Sequence, residues 1–387
     1  EITDTPLRIS PQAQLIPGLE DRFRDFKRVE LVDKTRPEKY TVSALKDFIM
    51  ETLNTHGEPI NSLLTVLNTK GDAKTLFQEL LKLNEELPPE EQYEIYHLST
   101  NMCPAHRTEA LAVIKEKLKE IRNGQVSHKL ICVSTALIEA GVNISFDCVV
   151  RAHTGFDSLV QAAGRCNRHK EVNCRKAYVV NMKDESITWL EDIKKGQYQT
   201  ERLLREFLDD PGEFDGDLLS PKLIEAYYSY YYHDRKPDMD YTMRTIDTTR
   251  KKKTLYNLLS NNPDGEEAYR GRQGQPSFLN LKQAFKTAGR EFNVIDQHTI
   301  SVLVPHQKGK ELITLLNGQS NLGQMKEYLK EAQQYSVNLF KYEWDRLEHM
   351  GAFVSLKNGA ILAVREEFYD PVIGVSFEAK EMNFYNY

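Results

Sequence analysis

Two arginines and a glutamine stand close together in the run QAAGRCNR, which extends from Gln161 to Arg168. Residues three and four positions apart share one face of a helix, so the spacing predicts that Gln161, Arg165 and Arg168 project to the same side. Such a cluster could clamp a polyphosphate, because phosphoryl transfer accumulates negative charge that an arginine neutralises. Lysine would serve less well, since it lacks the planar fork of the guanidinium.

The alternative for Arg165 and Arg168 is an ordinary pair of surface salt bridges, which is the usual role of two neighbouring arginines. The residues ahead of them favour the phosphate hypothesis. The run VSTALIEAGVNISF, residues 133–146, predicts the end of a strand, a polar turn and a short helix, and another strand follows. The whole pattern is more specific than the arginines alone.

Strands and helices alternate along the first half of the chain. Apolar runs predict six strands, at 28–32, 63–67, 93–100, 130–133, 148–151 and 177–180. Apolar residues at helical spacing predict helices at 45–53, from Ala73 onward and from Pro104, where proline suits the first turn. This alternation predicts an α/β fold with a parallel, doubly wound sheet.

Polar residues follow three of these strands. In doubly wound sheets, ligands bind at the carboxyl ends of the strands, and the loops there hold Thr69, Lys70, Ser99, Thr100, Ser134 and Thr135. Each hydroxyl by itself is more simply a helix cap or a turn residue. Together they would line one rim of the sheet and offer hydrogen bonds to a sugar-phosphate chain. We expect both guanidiniums of QAAGRCNR to be exposed at this open rim as well.

The composition is that of a globular protein of two domains. The chain has 387 residues, of which 40% are hydrophobic and 28% charged, and its net charge is −6. A nucleic acid would therefore be held in a local groove and not on a generally basic surface. Five cysteines without a Cys-x-x-Cys pair predict a reduced, cytoplasmic protein. The acidic, polar amino end does not predict a signal peptide, and no apolar run is long enough to predict a membrane span. The first residue is not methionine, so we expect the chain to be part of a longer protein.

Three further patterns imitate catalytic motifs. TKGDAKT, residues 69–75, follows a strand as a phosphate-binding loop does, but it has one glycine and no Gly-Lys-Ser/Thr ending. AYVVNMKDE, residues 177–185, imitates an acidic metal motif that two residues interrupt. His233 and Asp234 form a dyad without further ligands at convincing spacing. We therefore predict neither a complete ATP site nor a metal site in this chain.

The second half of the chain predicts a helical region and then a small α+β module. Helices are predicted at 199–208 and from Pro221 to Tyr232, with Ser220 as a cap. The tyrosines of the second helix either pack in a core or stack on bases. Residues 233–276 are polar and predict a linker, which includes a basic run at 250–253.

The module itself combines strands and helices. Its pattern predicts a strand at 300–304, a helix from Lys310, a helical stretch over 324–350 and a hairpin that turns on Asn358 and Gly359. Asparagine and glycine suit a tight two-residue turn, because both tolerate a positive φ.

The order of these pieces resembles motifs V and VI of superfamily 2 helicases, in which Gln-x-x-Gly-Arg-x-x-Arg closes the second RecA-like motor domain. The runs HLSTNMCPAHR, STALIEAGVNISFD and SLVQAAGRCNRH, with a module that ends in YDPVIG, narrow the resemblance. They are similar to the carboxy-terminal half of the CRISPR-associated helicase-nuclease of type I interference systems. The resemblance implies a leading linker at 1–27, the second RecA-like domain at 28–190, a helical linker region at 191–276 and an accessory domain at 277–387.

The resemblance also implies roles for single residues. Arg165 and Arg168 would be arginine fingers with Gln161 beside them, and nucleotide contacts would fall to Gly141, Asn143 and Gly164. Contacts to the DNA strand would fall to Thr135, Ser134, Ser99, Thr100, Arg107, Thr69 and Lys70. Motif V usually ends in Gly-hydrophobic-Asp, and Asn143 replaces that aspartate. A contact to ribose can survive this change, whereas an ion pair with a motif VI arginine cannot.

For the complete protein, the resemblance implies a translocase that uses ATP and Mg²⁺ on single-stranded DNA and is recruited by the crRNA surveillance complex (Cascade type). In the family, a first motor domain and a nuclease domain that uses a transition metal precede this region. We therefore expect this part alone to bind no cofactor and to need the upstream half for turnover. Two alternatives stay open: another superfamily 2 DNA or RNA helicase, and a non-enzymatic piece that docks a protein partner.

Overall fold

The computed structural model describes residues 26–55, 59–126, 128–188, 190–241, 254–275, 283–292, 299–318 and 322–378, together with Ser10, Ala13, Leu15, Phe23 and Met243. Most of the predicted leading linker and the basic run at 250–253 lie outside these residues. The chain forms two compact units, one of residues 1–227 and 301–387 and the other of residues 228–300.

A six-stranded parallel sheet forms the centre of the first unit. Its strands are β1 (Val29–Lys34), β2 (Ser62–Leu67), β3 (Glu94–Leu98), β4 (Leu130–Thr135), β5 (Cys148–Ala152) and β6 (Arg175–Val180). Their order across the sheet is β1-β6-β5-β2-β4-β3, and every pairing is parallel. The strands β2, β4 and β5 are buried along their whole length, as expected where helices cover both faces. The predicted α/β fold is confirmed.

Four helices connect these strands: α1 (Val42–Asn54), α2 (Lys70–Glu85), α3 (Pro104–Arg122) and α4 (Phe156–Ala163). Thr41 and Thr69 cap the first two, since their hydroxyls accept from backbone amides of the first turn. Pro104 is the first residue of α3, as predicted. Helices α1 and α2 pack on the sheet through a buried core that includes Leu45, Ile49, Leu76, Val133 and Val150.

Two more helices follow the sheet, α5 (Glu191–Asp209) and α6 (Pro221–Asp234). The hydroxyl of Ser220 accepts from the amide of Leu223 at 3.2 Å, so the predicted cap is confirmed. α5 crosses the start of α4 closely, because a Cβ added to Gly196 would lie 2.7 Å from the Cα of Gly155. Only glycine permits that approach.

Helices occupy part of the region predicted to be a linker. The second unit contains α7 (Leu255–Leu259), α8 (Pro263–Gln273) and α9 (Phe285–Glu291), and the first two lie inside 233–276. Helices thus replace the irregular segment that the polar composition predicted, while the helical linker region at 191–276 stays a prediction. Thr254 caps α7 in a capping box with Asn257, and a small buried cluster joins Met243, Leu258 and Ala288.

The last part of the chain builds a second sheet in the order β8-β7-β10-β9. Its strands are β7 (Thr299–Leu303), β8 (Ser336–Phe340), β9 (Phe353–Leu356) and β10 (Ile361–Val364), and its helices are α10 (Lys308–Asn317), α11 (Leu322–Ala332) and α12 (Lys341–His349). Two short antiparallel strands, β11 (Tyr369–Asp370) and β12 (Gly374–Val375), follow as a separate two-stranded sheet.

Two predictions for this module need correction. The helical stretch over 324–350 is wrong, because β8 interrupts it with Val337 and Leu339 buried on one side. The hairpin of β9 and β10 is confirmed, but its turn has four residues, from Lys357 to Ala360. Three of them have a positive φ, so the chain reverses over a longer arc than the two-residue turn that was predicted.

Candidate functional site

The segment that carries the two arginines is not a continuous helix. α4 ends at Ala163. Beyond it the backbone is not helical, and Asn167 has a left-handed conformation with a φ of 45°. Arg165 and Arg168 therefore lie after the helix. The prediction that they share a helical face with Gln161 is wrong.

Arg165 is buried, with 5% of its surface accessible. Its Nη1 donates to the carbonyl oxygen of Val142 at 2.6 Å, and its Nη2 donates to the carbonyl oxygen of Glu139. Burial lowers the pKa of the guanidinium, and the charge of Arg168 lowers it further. The expected exposure is wrong for Arg165, which instead holds the backbone of residues 139–145, the motif V turn.

Arg168 is only half-buried and has exposed neighbours. Its Nε donates to Oδ1 of Asn143 at 3.0 Å and its Nη1 to the carbonyl oxygen of Gly164 at 3.5 Å, while no described residue accepts from its Nη2. Asn143, Gly141 and Gln161 are exposed. We call the set of Arg168, Asn143, Gly164, Gly141 and Gln161 the motif V–VI cluster. Asparagine thus keeps the link to a motif VI arginine as a hydrogen bond without an ion pair.

The motif V–VI cluster does not lie at the carboxyl rim of the sheet. The backbone of Cys166 pairs with that of Phe146, just before β5 begins at Cys148. The side-chain amide of Asn167 donates to the carbonyl oxygen of Arg28, next to the start of β1, at 2.9 Å. Motif VI therefore lies beside the amino ends of β5 and β1, and the expectation that it shares the rim with the hydroxyl residues is wrong.

The hydroxyls predicted at the carboxyl rim are there, but most are bonded within the protein. Oγ1 of Thr69 accepts from the amide of Asp72 at 3.0 Å and donates to its carboxylate at 2.6 Å. Ser134 is fully buried and donates to the carbonyl oxygen of Thr135. The capping alternative holds for Thr69, and the TKGDAKT run is the ordinary strand-to-helix connection.

Another pair of hydroxyls follows β3. Ser99 is buried, and its Oγ accepts from the amide of Asn101 at 3.3 Å. Thr100 is exposed. Thr100 is therefore the rim hydroxyl that a passing strand could reach without a local rearrangement.

The two basic residues predicted to contact a strand are engaged. Nζ of Lys70 pairs with the buried carboxylate of Glu343 on α12 and lies 5.4 Å from the ring centroid of Phe340. Nη1 of Arg107 donates to the carbonyl oxygen of Met102 at 3.2 Å, and burial lowers the pKa of Arg107. The accessory module thus neutralises Lys70 at the rim.

A buried ion pair that we did not single out in the sequence lies behind the motif V turn. Nε of Arg151 donates to Oε1 of Glu139 at 2.7 Å, and the two residues are 2% and 7% accessible. Burial lowers the pKa of Arg151, and the charge of Glu139 opposes that shift. The readable signal was an arginine inside the apolar strand CVVRA, because a charge buried there requires a partner.

Desolvated titratable groups also gather near the carboxyl rim. Burial lowers the pKa of His97, in β3, and of His153, after β5, to about 4. Burial raises the pKa of Glu185, after β6, to about 7. Among the described residues, Nδ1 of His97 and Nε2 of His153 have no hydrogen-bond partner. Burial therefore favours the neutral form of the two imidazoles and of the Glu185 carboxyl.

The tyrosines of α6 divide between the two predicted roles. Tyr227 is buried against Phe156 and donates to Asp157 at 3.1 Å. Tyr228 and Tyr232 are 39% and 49% exposed, and their rings stack at 5.8 Å. The prediction of core packing is confirmed for Tyr227, whereas Tyr228 and Tyr232 lie at the surface.

Within the described ranges, no group of three or more His, Cys, Asp and Glu side chains is placed to hold a metal ion. In the same ranges, every helix is too short or too polar to traverse a bilayer.

Residues 60–171 match the family model described as CRISPR-associated nuclease/helicase Cas3, C-terminal. This stretch contains β2 to β5, the run at 133–146 and the arginine-bearing run QAAGRCNR, and the match confirms the resemblance that these motifs carry. No curated protein matches the chain.

Solved structures share this fold at low sequence identity. A crystal structure of T. fusca Cas3 with ADP has a TM-score of 0.55 at 14% identity, and the match covers 90% of this chain and 42% of that chain. Another, described as a CRISPR-associated protein, has a TM-score of 0.52 at 17% identity, over 91% and 41%. A chain of a CRISPR RNA-guided surveillance complex, pre-nicking, has a TM-score of 0.50 at 14% identity, over 90% and 44%. The chain spans about two fifths of the length of these proteins.

Proposed function

We propose that this chain is the second motor domain and accessory region of an ATP-dependent helicase that moves along single-stranded DNA in CRISPR interference. The observation that carries the proposal is the motif V–VI cluster, in which Asn143 holds the half-buried guanidinium of Arg168 among exposed residues. In phosphoryl transfer, an arginine supplied across an interface acts on a nucleotide that another part grips. We assign the phosphate loop, Mg²⁺ and the first grip on ATP to the upstream half of the same protein.

Arg168 is the arginine that we expect to reach the phosphates. It keeps a guanidinium nitrogen that no described residue accepts from, whereas both terminal nitrogens of Arg165 are bound to backbone carbonyls. Arg165 then acts as a positioning residue that fixes the turn on which Asn143 stands. Gly141 and Gly164 would bring backbone close to the nucleotide, and exposed Gln161 would lie beside it.

We assign the DNA strand to the carboxyl rim, with Thr100 as its first contact. Arg107, Thr135 and the other rim hydroxyls would contribute where the strand displaces their internal bonds. Lys70 can join them only when Glu343 releases it, because the carboxylate now occupies the position that a phosphate oxygen would take.

A surveillance complex of the Cascade type is the partner that we propose for the complete protein, in antiviral defence. The likeness to a chain of a CRISPR RNA-guided surveillance complex supports this proposal. Degradation of the strand would belong to an upstream nuclease domain that uses a transition metal.

The test is ATP hydrolysis by the complete protein with and without single-stranded DNA. Arg168→Ala should lower the DNA-stimulated rate by on the order of 10³-fold, because an arginine that stabilises transition-state charge contributes that much. Arg202→Ala is the matched control, since Arg202 is also partly exposed and pairs with Glu206 on its own helix, α5, at 2.9 Å. Equal rates for wild type and Arg168→Ala would overturn the proposal.

Other outcomes select the alternatives. Stimulation by RNA alone, with no DNA degradation in the presence of transition metals and a surveillance complex, would identify a different superfamily 2 helicase. Unchanged hydrolysis with weakened partner binding would identify a docking piece.

A further inference from the structure

The buried pair of Arg151 and Glu139 is the centre of a larger hydrogen-bonded network. Oγ of Ser158 donates to Oε2 of Glu139 at 2.6 Å, while Nη2 of Arg151 donates to Ser158 at 3.1 Å. Both carboxylate oxygens of Glu139 are thus bonded. The three side chains form a closed triangle inside the fold.

One side of this network reaches the carboxyl rim. Nη1 of Arg151 donates to Oδ1 of Asn68 at 2.6 Å and to the carbonyl oxygens of Val66 and Ala152 at 3.3 and 3.1 Å. The side-chain Nδ2 of Asn68 donates to the carbonyl oxygen of His153 at 2.9 Å. Asn68 directly precedes Thr69, so Arg151 fixes the loop from which α2 and its Lys70 begin.

The other side reaches the motif V–VI cluster through the backbone of the same glutamate. Nη2 of Arg165 donates to the carbonyl oxygen of Glu139, and its Nη1 donates to that of Val142. Asn143 follows directly and accepts from Arg168. A chain of bonds therefore runs from the loop after β2 to the half-buried guanidinium of Arg168.

We propose that Arg151 and Glu139 are positioning residues that set the loop after β2 and the motif V turn relative to each other. This inference rests on the proposed function, which assigns the DNA strand to the loop after β2 and the nucleotide to the motif V turn. The ion pair suits this role because its hydrogen bonds have defined directions. An apolar pair of similar volume is often as stable as a buried ion pair, but it cannot fix the angle between two loops as a planar guanidinium with several acceptors does.

The direct test is amide hydrogen exchange in the 387-residue chain. Glu139→Gln should raise exchange at least tenfold both in residues 68–72 and in residues 139–143. Glu171→Gln is the matched control, because Glu171 also touches the motif V turn, through Ser145 at 3.2 Å, but from the outer surface. It should change exchange only near 171 and 145. Exchange that rises in 139–143 alone for Glu139→Gln would overturn the proposal.

A second variant keeps the proposal testable if Glu139→Gln does not fold. Glu139→Leu/Arg151→Met/Ser158→Ala replaces the network with apolar groups and should leave a folded chain. In the complete protein it should keep basal ATP hydrolysis and lose most of the stimulation by DNA. Full stimulation of this variant would refute the inference, whereas an unstimulated wild-type protein would refute the proposed function instead.

Discussion

The carboxyl rim of the sheet and the motif V–VI cluster were both predicted as binding sites, yet they differ in what they leave accessible. At the rim, the hydroxyls of Ser99 and Ser134 are buried, and Lys70 is paired with Glu343. In the motif V–VI cluster, Gln161 and Asn143 are exposed. Most polar groups of the rim are bonded within the fold, whereas the motif V–VI cluster leaves some of its polar groups accessible.

The difference shows that residue type and position along the chain are not sufficient to define a site. A hydroxyl after a strand meets the free amides of the next helix first, and capping satisfies both groups. An arginine beyond a helix end finds only the last carbonyls of that helix nearby, as Arg168 does with a long bond of 3.5 Å to Gly164. Its fate depends on whether the neighbouring turn folds over it, as it does for Arg165 and does not for Arg168.

The two arginines should differ most in stability. Arg165→Ala leaves two backbone carbonyls without their donors, so we expect the free energy of unfolding to fall by about 4 kcal/mol. Arg168→Ala removes a partly exposed group and should cost less than about 1 kcal/mol. Urea denaturation of the isolated chain measures both. Similar losses for the two variants would mean that both arginines are structural.

Acid should loosen the rim before the motif V–VI cluster. The pKa of His97 is lowered from 6.5 to about 4, so the unfolded chain takes up its proton at a higher pH than the folded chain does. The stability contribution is complete above pH 6.5 and is lost as the pH falls to about 4, by about 3 kcal/mol at 1.4 kcal/mol per unit.

His97→Leu should make this part of the profile less steep and leave the share of His153, whose pKa is also lowered to about 4, as measured by unfolding at pH 7 and pH 4.5. An equally steep profile in the variant would show that His97 is not responsible. His349→Leu is the matched control, because His349 is exposed on α12.

Capping distinguishes two threonines at the carboxyl rim. Thr69→Ala removes the cap of α2 and should cost about 1 kcal/mol, while exposed Thr100→Ala should change stability by less than about 0.5 kcal/mol. In binding experiments with the complete protein and single-stranded DNA, the order should reverse. If Thr100→Ala left DNA affinity unchanged, the rim assignment would lose its first contact.

The smallest effect is expected at Asn143. Asn143→Asp converts the bond to Arg168 into an ion pair at the surface, which should add about 0.5 kcal/mol at low ionic strength and vanish in about 0.5 M salt. Thermal unfolding at the two salt concentrations measures it. A gain that persists in high salt would place the pair in the interior.

Most of the sheet could be predicted because its strands are continuous apolar runs, and Pro104 and Ser220 marked helix starts correctly. The end of α4 could not be predicted, because Gly164 keeps a right-handed helical conformation. Beyond it, the backbones of Arg165 and Asn167 bond to that of Phe146 instead of continuing the helix, and nothing in QAAGRCNR demands this pairing. Burial of Arg165 depends on the distant motif V turn. Helical spacing alone therefore placed the arginines on a face that does not exist.

The strand β8 was missed for a different reason. It is five residues long and lies between two helices whose periodicity is strong, so the longer pattern dominated. Its alternation of buried Val337 and Leu339 with exposed Asn338 was readable. The Lys70 pair was not, because Glu343 lies on a helix of the accessory module far along the chain.

The central claim is that Arg168 faces the nucleotide and Arg165 does not. Modification of arginines by phenylglyoxal in the complete protein, read by peptide mass spectrometry, tests it most directly. We expect Arg168 to react in the free protein and to be protected by a non-hydrolysable ATP analogue, while Arg202, exposed on α5, reacts equally in both and Arg165 reacts in neither. Equal modification of Arg168 with and without the analogue would contradict the account.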